Sequence, residues 1–194
     1  MILSIETSSA LGSWALFENG QLLETATFEG RASSSLIASL EKSKFEIRNS
    51  KLILIGVGPG SFGGIRVAIA TAQGLARAWK CPILPVRSSS ALAWKHRHVS
   101  FLGIFADAKR TQYFFTAYEK GQLSRPSSLI PQAETENYLS KCSLALSPDP
   151  LAGIPTHEAP TAEDLARHYL AYGAEEGLSL GPIYLHPPLK PPAK

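Results

Sequence analysis

The stretch Glu18-Asn19-Gly20-Gln21-Leu22 returns 101 positions later as Glu119-Lys120-Gly121-Gln122-Leu123. Each copy separates two apolar runs, and asparagine and glycine tolerate the positive φ that a tight hairpin needs. The same offset places Asp107 on Glu6, an acidic residue that follows the first apolar run. Because the acidic residue and the turn repeat at the same offset, duplication is favoured over chance similarity between two turns. Each half is therefore expected to open with strand, acidic residue, loop, strand, turn and strand.

Apolar runs and helical periodicity extend this pattern along both halves. The expected strands are residues 2–5, 12–17, 22–28, 51–57, 83–86, 101–106, 112–118 and 143–146, and the expected helices 33–40, 64–79, 88–97, 134–141 and 161–176. A polar segment follows the second turn, and residues 182–185 are expected to be extended. Two such lobes match the actin/sugar-kinase (ribonuclease H-like) architecture, a duplicated α/β fold with mixed sheets. Its acid-bearing hairpins face each other across a cleft, where ligands commonly bind.

The bulk composition is that of an ordinary globular protein. The chain has 194 residues, 44% of them hydrophobic and 18% charged, with a formal net charge of +3. A dedicated nucleic-acid binder usually carries a denser basic footprint.

We expect a lobe at 1–98, a lobe at 99–185 and a disordered proline-rich tail at 186–194. No run approaches the roughly 18 apolar residues of a membrane helix, so a cytoplasmic protein with reduced cysteines is expected.

A glycine-rich loop, Gly56-Val57-Gly58-Pro59-Gly60-Ser61-Phe62-Gly63-Gly64-Ile65-Arg66, follows a buried strand and opens a helix. Backbone N–H groups at such a position attract anions, so Gly58, Gly60 and Ser61 are candidate phosphate ligands. The loop lacks the Walker lysine and the dinucleotide spacing. A tight strand-to-helix connection is therefore the competing interpretation.

The loop after the first strand offers the other candidate cleft residues. The hydroxyls of Thr7 and Ser8, beside Glu6, can bind a phosphate or close a turn on their own backbone. Asp107 can hold a hydrated Mg²⁺ or pair with Lys109 or Arg110. Pairing is favoured, because no second carboxylate stands beside Asp107 in the sequence.

Recognisable catalytic and metal motifs do not occur in the sequence. The five histidines lack metal-ligand spacing, the two cysteines do not cluster, and no nucleophile elbow is present. We therefore expect no catalytic residue, no metal and no required cofactor. Nucleotide binding in the cleft stays an open alternative.

The helix expected at 64–79 is rich in small residues, and alanines repeat along it at every fourth position. Residues at this spacing share a face, which allows close approach by another helix. Together with the preceding helix, this face predicts a partner surface formed by Leu36, Leu40, Ile65, Ala68, Ile69, Ala72, Leu75 and Ala76. The alternative is that the alanines pack on the chain's own sheet.

Five segments carry a resemblance to a known family, in matching order and spacing. They are Ile2–Ser8, Gly58–Arg66, Ala70–Ala76, Asp107–Arg110 and Pro182–Leu185. Together they resemble the TsaB (YeaZ) family, whose members have also been called glycoproteases or M22 peptidases. The glycine segment is the most specific, although Gly63 stands where the family usually has threonine.

The resemblance implies the actin-like fold and a role in making threonylcarbamoyladenosine on the tRNA adenosine next to the anticodon. It implies a non-catalytic subunit that pairs with a TsaD-like catalytic subunit and a TsaE-like ATPase, with tRNA contact through the complex. Without those partners, a homodimer is expected. The alternatives are a small kinase or ATPase of the same fold and a homodimeric binding module.

Overall fold

The computed structural model describes residues 1–30, 32–183 and 185, and the tail expected at 186–194 lies outside them. The strands are Ile2–Glu6 (β1), Leu11–Glu18 (β2), Gln21–Glu29 (β3), Leu52–Gly56 (β4), Ile83–Val86 (β5), Leu102–Lys109 (β6), Gln112–Glu119 (β7), Gln122–Pro131 (β8) and Leu144–Leu146 (β9). The helices are Ala32–Leu40 (α1), Phe62–Trp79 (α2), Ser89–Lys95 (α3), Thr135–Leu139 (α4) and Ala162–Tyr172 (α5), with short 3-10 turns at Ile47–Asn49 and Gln132–Glu134.

The strands form two mixed sheets of the same design. The first has the order β3-β2-β1-β4-β5 and the second the order β8-β7-β6-β9. In each sheet, three antiparallel strands are joined by hairpins, and a later strand then adds in parallel beside the first. The predicted α/β class with mixed sheets is confirmed.

The predicted repeat is visible in the strand boundaries. β2 and β7 begin and end 101 positions apart, and β3 and β8 begin at the same offset. Both connecting turns have positive φ at their central residues, 51° and 79° at Asn19 and Gly20 and 49° and 82° at Lys120 and Gly121. The repeat therefore extends to the backbone conformation of the turn.

β8 could not be predicted from its own composition, because residues 122–131 form a polar segment. The strand lies at the edge of the second sheet, where polar side chains face solvent. Pro126 falls at a shift in the β7–β8 register, where no ladder partner is needed. Only the repeat predicts this strand.

α5 follows the second sheet in the chain but packs on the first. Its Ala162 N–H donates to Ser13 Oγ at 2.9 Å, and Leu165 and Ala166 share a buried cluster with Phe17 and Leu54. Its predicted cap is confirmed, since Thr161 Oγ1 accepts from Asp164 N at 3.1 Å. α5 and α3 thus cover one face of the first sheet, opposite α1 and α2.

The residues expected at a partner surface lie inside the protein, so that assignment is wrong for the described structure. Leu36, Leu40, Ile65, Ala68, Ile69, Ala72 and Ala76 are buried with the apolar residues of β1, β2 and β4, and Leu75 packs against them. The alanine face of α2 allows close approach to the chain's own sheet. The outward side of α2 instead carries Phe62, Arg66, Ala70, Gln73 and Gly74.

Candidate functional site

The loop after β1 packs directly against the glycine loop that connects β4 to α2. Ser61 N donates to the Ser8 carbonyl at 2.6 Å, and Thr7 Oγ1 donates to the Gly64 carbonyl at 3.0 Å. The Thr7 hydroxyl therefore joins the two loops, a role that the sequence interpretation did not include. These bonds hold the loop after β1 against the glycine loop at the start of α2.

Three glycines make this close approach possible. A Cβ at Gly60 would lie 2.2 Å from the Ser8 carbonyl oxygen, and one at Gly64 would lie 2.1 Å from that of Thr7. At Gly56, a Cβ would lie 1.9 Å from Glu6 Oε2. At Gly63, by contrast, no described atom lies within 4 Å of an added Cβ. A threonine there, as in the family pattern, therefore has room.

Three N–H groups of the glycine loop donate hydrogen bonds within the protein. Gly58 N donates to Ser88 Oγ at 2.9 Å and Gly64 N donates to Ser61 Oγ at 3.4 Å, while Ser61 N is held by Ser8. A phosphate at these positions would have to displace existing hydrogen bonds. At Gly58, Ser61 and Gly64 the geometry therefore favours the tight connection over a phosphate contact.

Glu6 is sealed inside the first lobe and does not face the cleft. Its side chain is fully buried, and Oε1 accepts from Ser8 N at 2.6 Å. Burial raises the pKa of the Glu6 carboxyl, and hydrogen bonds from Ser8 offset only part of that rise. The carboxylate of Glu6 is enclosed beside Gly56, so of the two repeated acids only Asp107 lines the cleft cavity described below.

Replacing Glu6 with glutamine is expected to change how stability depends on pH. With a raised folded-state pKa, the unfolded chain releases its proton first, so wild-type stability falls as pH rises from the ordinary glutamate range towards that pKa. Glu6→Gln cannot ionise, so it should gain stability relative to wild type as the pH rises above the ordinary glutamate range towards the raised pKa of Glu6. Urea unfolding at several pH values measures this, with the exposed Glu18→Gln as control. Parallel pH profiles for wild type and Glu6→Gln would contradict the expectation.

Asp107 is paired, as the sequence interpretation favoured. Its Oδ1 accepts from Lys109 N at 2.7 Å, and its Oδ2 pairs with Lys109 Nζ. Burial raises the pKa of the Asp107 carboxyl, but the hydrogen bonds from Lys109 lower it by more, so the pKa lies below its ordinary value. The carboxylate is thus ionised and held by its neighbour in the chain.

Two cavities flank the junction of the loops. The helix-start cavity, about 540 Å³, is lined by Thr7, Ser9, Ala10, Gly12, Phe28, Gly30, Ala32, Ser61, Gly63, Gly64, Val67 and Asp149. The cleft cavity, about 570 Å³, includes Gly60, Asp107, Lys109 and Pro182 and shares Ser61 and Asp149 with the first. Of the candidate cleft residues, Thr7, Gly60, Ser61 and Asp107 therefore line a cavity.

Asp149 is the residue that sequence reasoning missed. Its Oδ1 accepts from Ala10 N at 3.0 Å, so it connects the segment after β9 to the loop after β1. Its sequence context is a proline-rich loop without a recognisable motif. Only the tertiary structure brings it to the wall of both cavities.

The described residues contain no group of three histidine, cysteine or acidic side chains arranged to hold a metal. None of the helices in residues 1–30 and 32–183 combines the length and apolar character needed to cross a bilayer.

A family model described as TsaD, tRNA N6-adenosine threonylcarbamoyltransferase, matches residues 29–146, from the end of β3 to the end of β9. The chain belongs to this TsaD-type family. The match covers more than half of the chain and includes the glycine loop, α2 and Asp107.

Curated relatives carry the name tRNA threonylcarbamoyladenosine biosynthesis protein TsaB. That of Bacillus subtilis is 31% identical over 127 residues, which are 61% of this chain and 55% of the relative. That of Escherichia coli is 27% identical over 131 residues, 62% of this chain and 56% of the relative. The chain thus spans about half the length of the curated relatives it matches. The predicted resemblance to the TsaB (YeaZ) family is confirmed.

The solved structure of YeaZ from Pseudomonas aeruginosa has a TM-score of 0.70 and 22% sequence identity, covering 95% of this chain and 99% of that one. A second structure, described as similar to peptidase YeaZ from the same organism, has a TM-score of 0.68 and 21% identity over the same shares. The chain therefore shares the fold of these YeaZ structures, and its two mixed sheets of the same design agree with the duplicated two-lobe α/β architecture expected from the sequence.

Proposed function

We propose that this chain is a non-catalytic subunit in the synthesis of threonylcarbamoyladenosine on the tRNA adenosine next to the anticodon. The observation that carries the proposal is the match of residues 29–146 to the TsaD-type family, together with relatives named for this biosynthesis. The proposed setting is the cytoplasm, with tRNA contacted through the complex.

The burial and hydrogen bonds of the candidate cleft residues support a non-catalytic role. Glu6 is enclosed, Asp107 is paired with Lys109, and the N–H groups of Gly58 and Ser61 bind within the protein. Each group would have to give up an existing partner or its enclosure before it acted on a substrate. Among them, the Ser61 N–H holds the glycine loop against the loop after β1.

The proposed partners are a TsaD-like catalytic subunit and a TsaE-like ATPase, with a second copy of this chain when they are absent. We place the main contact on the outer sides of α1 and α2, in place of the buried residues inferred from the sequence. Ile37 on α1 is 44% exposed and Phe62 on α2 is 46% exposed. Ala70 and Gly74 are also exposed and leave space for an approaching helix.

Ala70→Glu is expected to weaken association with the TsaD-like subunit at least about tenfold, which corresponds to about 1.4 kcal/mol. A carboxylate there would lose hydration on binding without gaining a partner. The matched control is Ala171→Glu, the same change at an exposed position of α5, on the opposite face of the first sheet. Calorimetry or analytical ultracentrifugation measures the binding.

The function itself is tested by reconstituting tRNA modification from the TsaD-like and TsaE-like proteins with and without this chain. We expect modification to require the chain and to fall with Ala70→Glu but not with Ala171→Glu. Full modification without the chain would overturn the proposal. Equal loss of binding in both variants would instead overturn only the location of the contact.

A small kinase or ATPase remains the second candidate, because Asp107 and Asp149 both line the cleft cavity. ATP turnover by the purified chain alone, abolished by Asp149→Asn, would favour that activity over the non-catalytic role.

A further inference from the structure

A third cavity, about 360 Å³, has a lining distinct from those of the other two. It is formed by Val86, Arg87, Ser90, Gln122, Leu123, His168, Tyr172, Gly173, Ala174 and Glu175. These residues come from the end of β5, from α3, from the start of β8 and from the end of α5 and the segment after it. We call it the Arg87 cavity, after the charged side chain with the least exposure in its wall.

Arg87 is a buried cation whose position is fixed by both lobes. Its side chain is 7% exposed, and its NH1 group donates to Ser127 Oγ of β8 at 3.0 Å. Ser127 Oγ lies 2.7 Å from Thr116 Oγ1 on β7, so a second hydroxyl supports the first. The guanidinium is therefore positioned by the Ser127 hydroxyl, which does not neutralise its charge.

The negative charge opposite Arg87 comes from a segment that is otherwise exposed. Glu175 Oε2 accepts from Arg87 Nε at 3.0 Å, and Oε1 pairs with the NH2 group. The Glu175 side chain is 30% exposed, and the residues on either side of it, Ala174 and Glu176, are exposed. Of the two members of this ion pair, the carboxylate can reach solvent with the smaller rearrangement.

His168, a residue of the cavity wall, has a buried acceptor without a partner. His168 is 9% exposed, and its Nε2 lies 3.1 Å from the Gly121 carbonyl. A carbonyl oxygen only accepts, so Nε2 carries the hydrogen and Nδ1 is the acceptor. Among the described residues and their hydrogen bonds, Nδ1 is buried and has no partner. A ligand with an O–H or N–H group would satisfy it.

We propose that the Arg87 cavity binds a small anion, a carboxylate or a phosphate, which takes the place of the Glu175 carboxylate on Arg87. Both anions match the planar donor fork of a guanidinium. The exchange keeps the buried cation paired, so it avoids the penalty of an uncompensated charge, while Glu175 regains hydration. A protonated oxygen or hydroxyl of the ligand donates to His168 Nδ1.

The test uses the full chain, with inorganic phosphate and lactate as separate probes and chloride to hold the ionic strength constant. The variants are Glu175→Gln and the matched control Glu176→Gln, which removes the same charge from the adjacent exposed position. Thermal unfolding reports stability, and the Arg87 Nε–Hε resonance reports contact with the guanidinium.

We expect Glu175→Gln to have a lower Tm than wild type in chloride and to regain it, saturably, with at least one probe. Its apparent Kd should be at least tenfold lower than that of wild type, while Glu176→Gln should match wild type. Saturation by phosphate alone or lactate alone identifies the anion class. Identical probe responses of Glu175→Gln and Glu176→Gln would overturn the proposal. If Glu175→Gln does not fold, the same titrations of the wild-type protein test the proposal. A saturable shift of the Arg87 Nε–Hε resonance would support the site, and an unchanged resonance would overturn the proposal.

Discussion

Replacing Gly64 with alanine is expected to destabilise the protein by about 3 kcal/mol or more. The added Cβ would lie 2.1 Å from the Thr7 carbonyl oxygen. That backbone has little freedom to move, because Ser61 N holds the neighbouring Ser8 carbonyl and Thr7 Oγ1 holds Gly64 itself. The strain exceeds the gain in helix propensity, about 1 kcal/mol, that alanine brings elsewhere in a helix.

The adjacent Gly63 provides a matched control. Both glycines lie in the first turn of α2, but no described atom lies within 4 Å of a Cβ at Gly63. Gly63→Ala should therefore leave stability unchanged or raise it by up to about 1 kcal/mol. Urea unfolding of both variants measures the difference. Similar unfolding free energies for Gly64→Ala and Gly63→Ala would show that the two loops are not in close contact.

Ala72→Glu is expected to prevent stable folding. Ala72 is fully buried between α2 and the first sheet, and an unpaired carboxylate there costs several kcal/mol, roughly the whole stability of a small domain. Ala70→Glu, two positions away on the outer side, should keep the native circular dichroism spectrum. Two folded variants with equal melting temperatures would contradict the inward orientation of the alanine face.

Much of the fold could be predicted because it repeats. The turn at Asn19 and Gly20 and its counterpart at Lys120 and Gly121 fixed both hairpins, and β5 occupies the predicted residues. Helix ends were less predictable: the last helix was expected to reach residue 176 but ends at Tyr172, before Gly173 with φ of 81°. Local sequence favoured continuation, whereas the positive φ at Gly173 ends the helix.

The orientation of α2 could not be predicted from its periodicity. The small residues Ala68, Ala72 and Ala76 indicate that another element packs closely against this face of α2. Their spacing suits either a partner helix or the chain's own sheet. Only the placement of β1 and β4 beneath them decides between the two. The sequence thus predicted a contact face and assigned it to the wrong neighbour.

The sequence predicted which residues lie at the candidate site better than it predicted what those residues do there. Glu6 and Asp107 share the offset of 101 positions but not the same position in their hairpins, because Glu6 pairs with Ser13 whereas Asp107 pairs with Tyr113, one residue before the counterpart of Ser13. In addition, β4 ends in Gly56, whose missing side chain leaves room for the Glu6 carboxylate. Asp107 instead has Lys109 two residues away and remains partly exposed. The acid is repeated while its surroundings are not, and surroundings decide the charge state of a carboxyl group.

The placement of α5 links the order of synthesis to the completion of the first lobe. β1 to β5 are complete by residue 86, but one face of their sheet acquires Ala162, Leu165 and Ala166 only from α5. A nascent chain that has emerged as far as β9 therefore still exposes part of that apolar face. Until residues 162–172 leave the ribosome, the uncovered part of that apolar face makes the N-terminal half a candidate for chaperone binding.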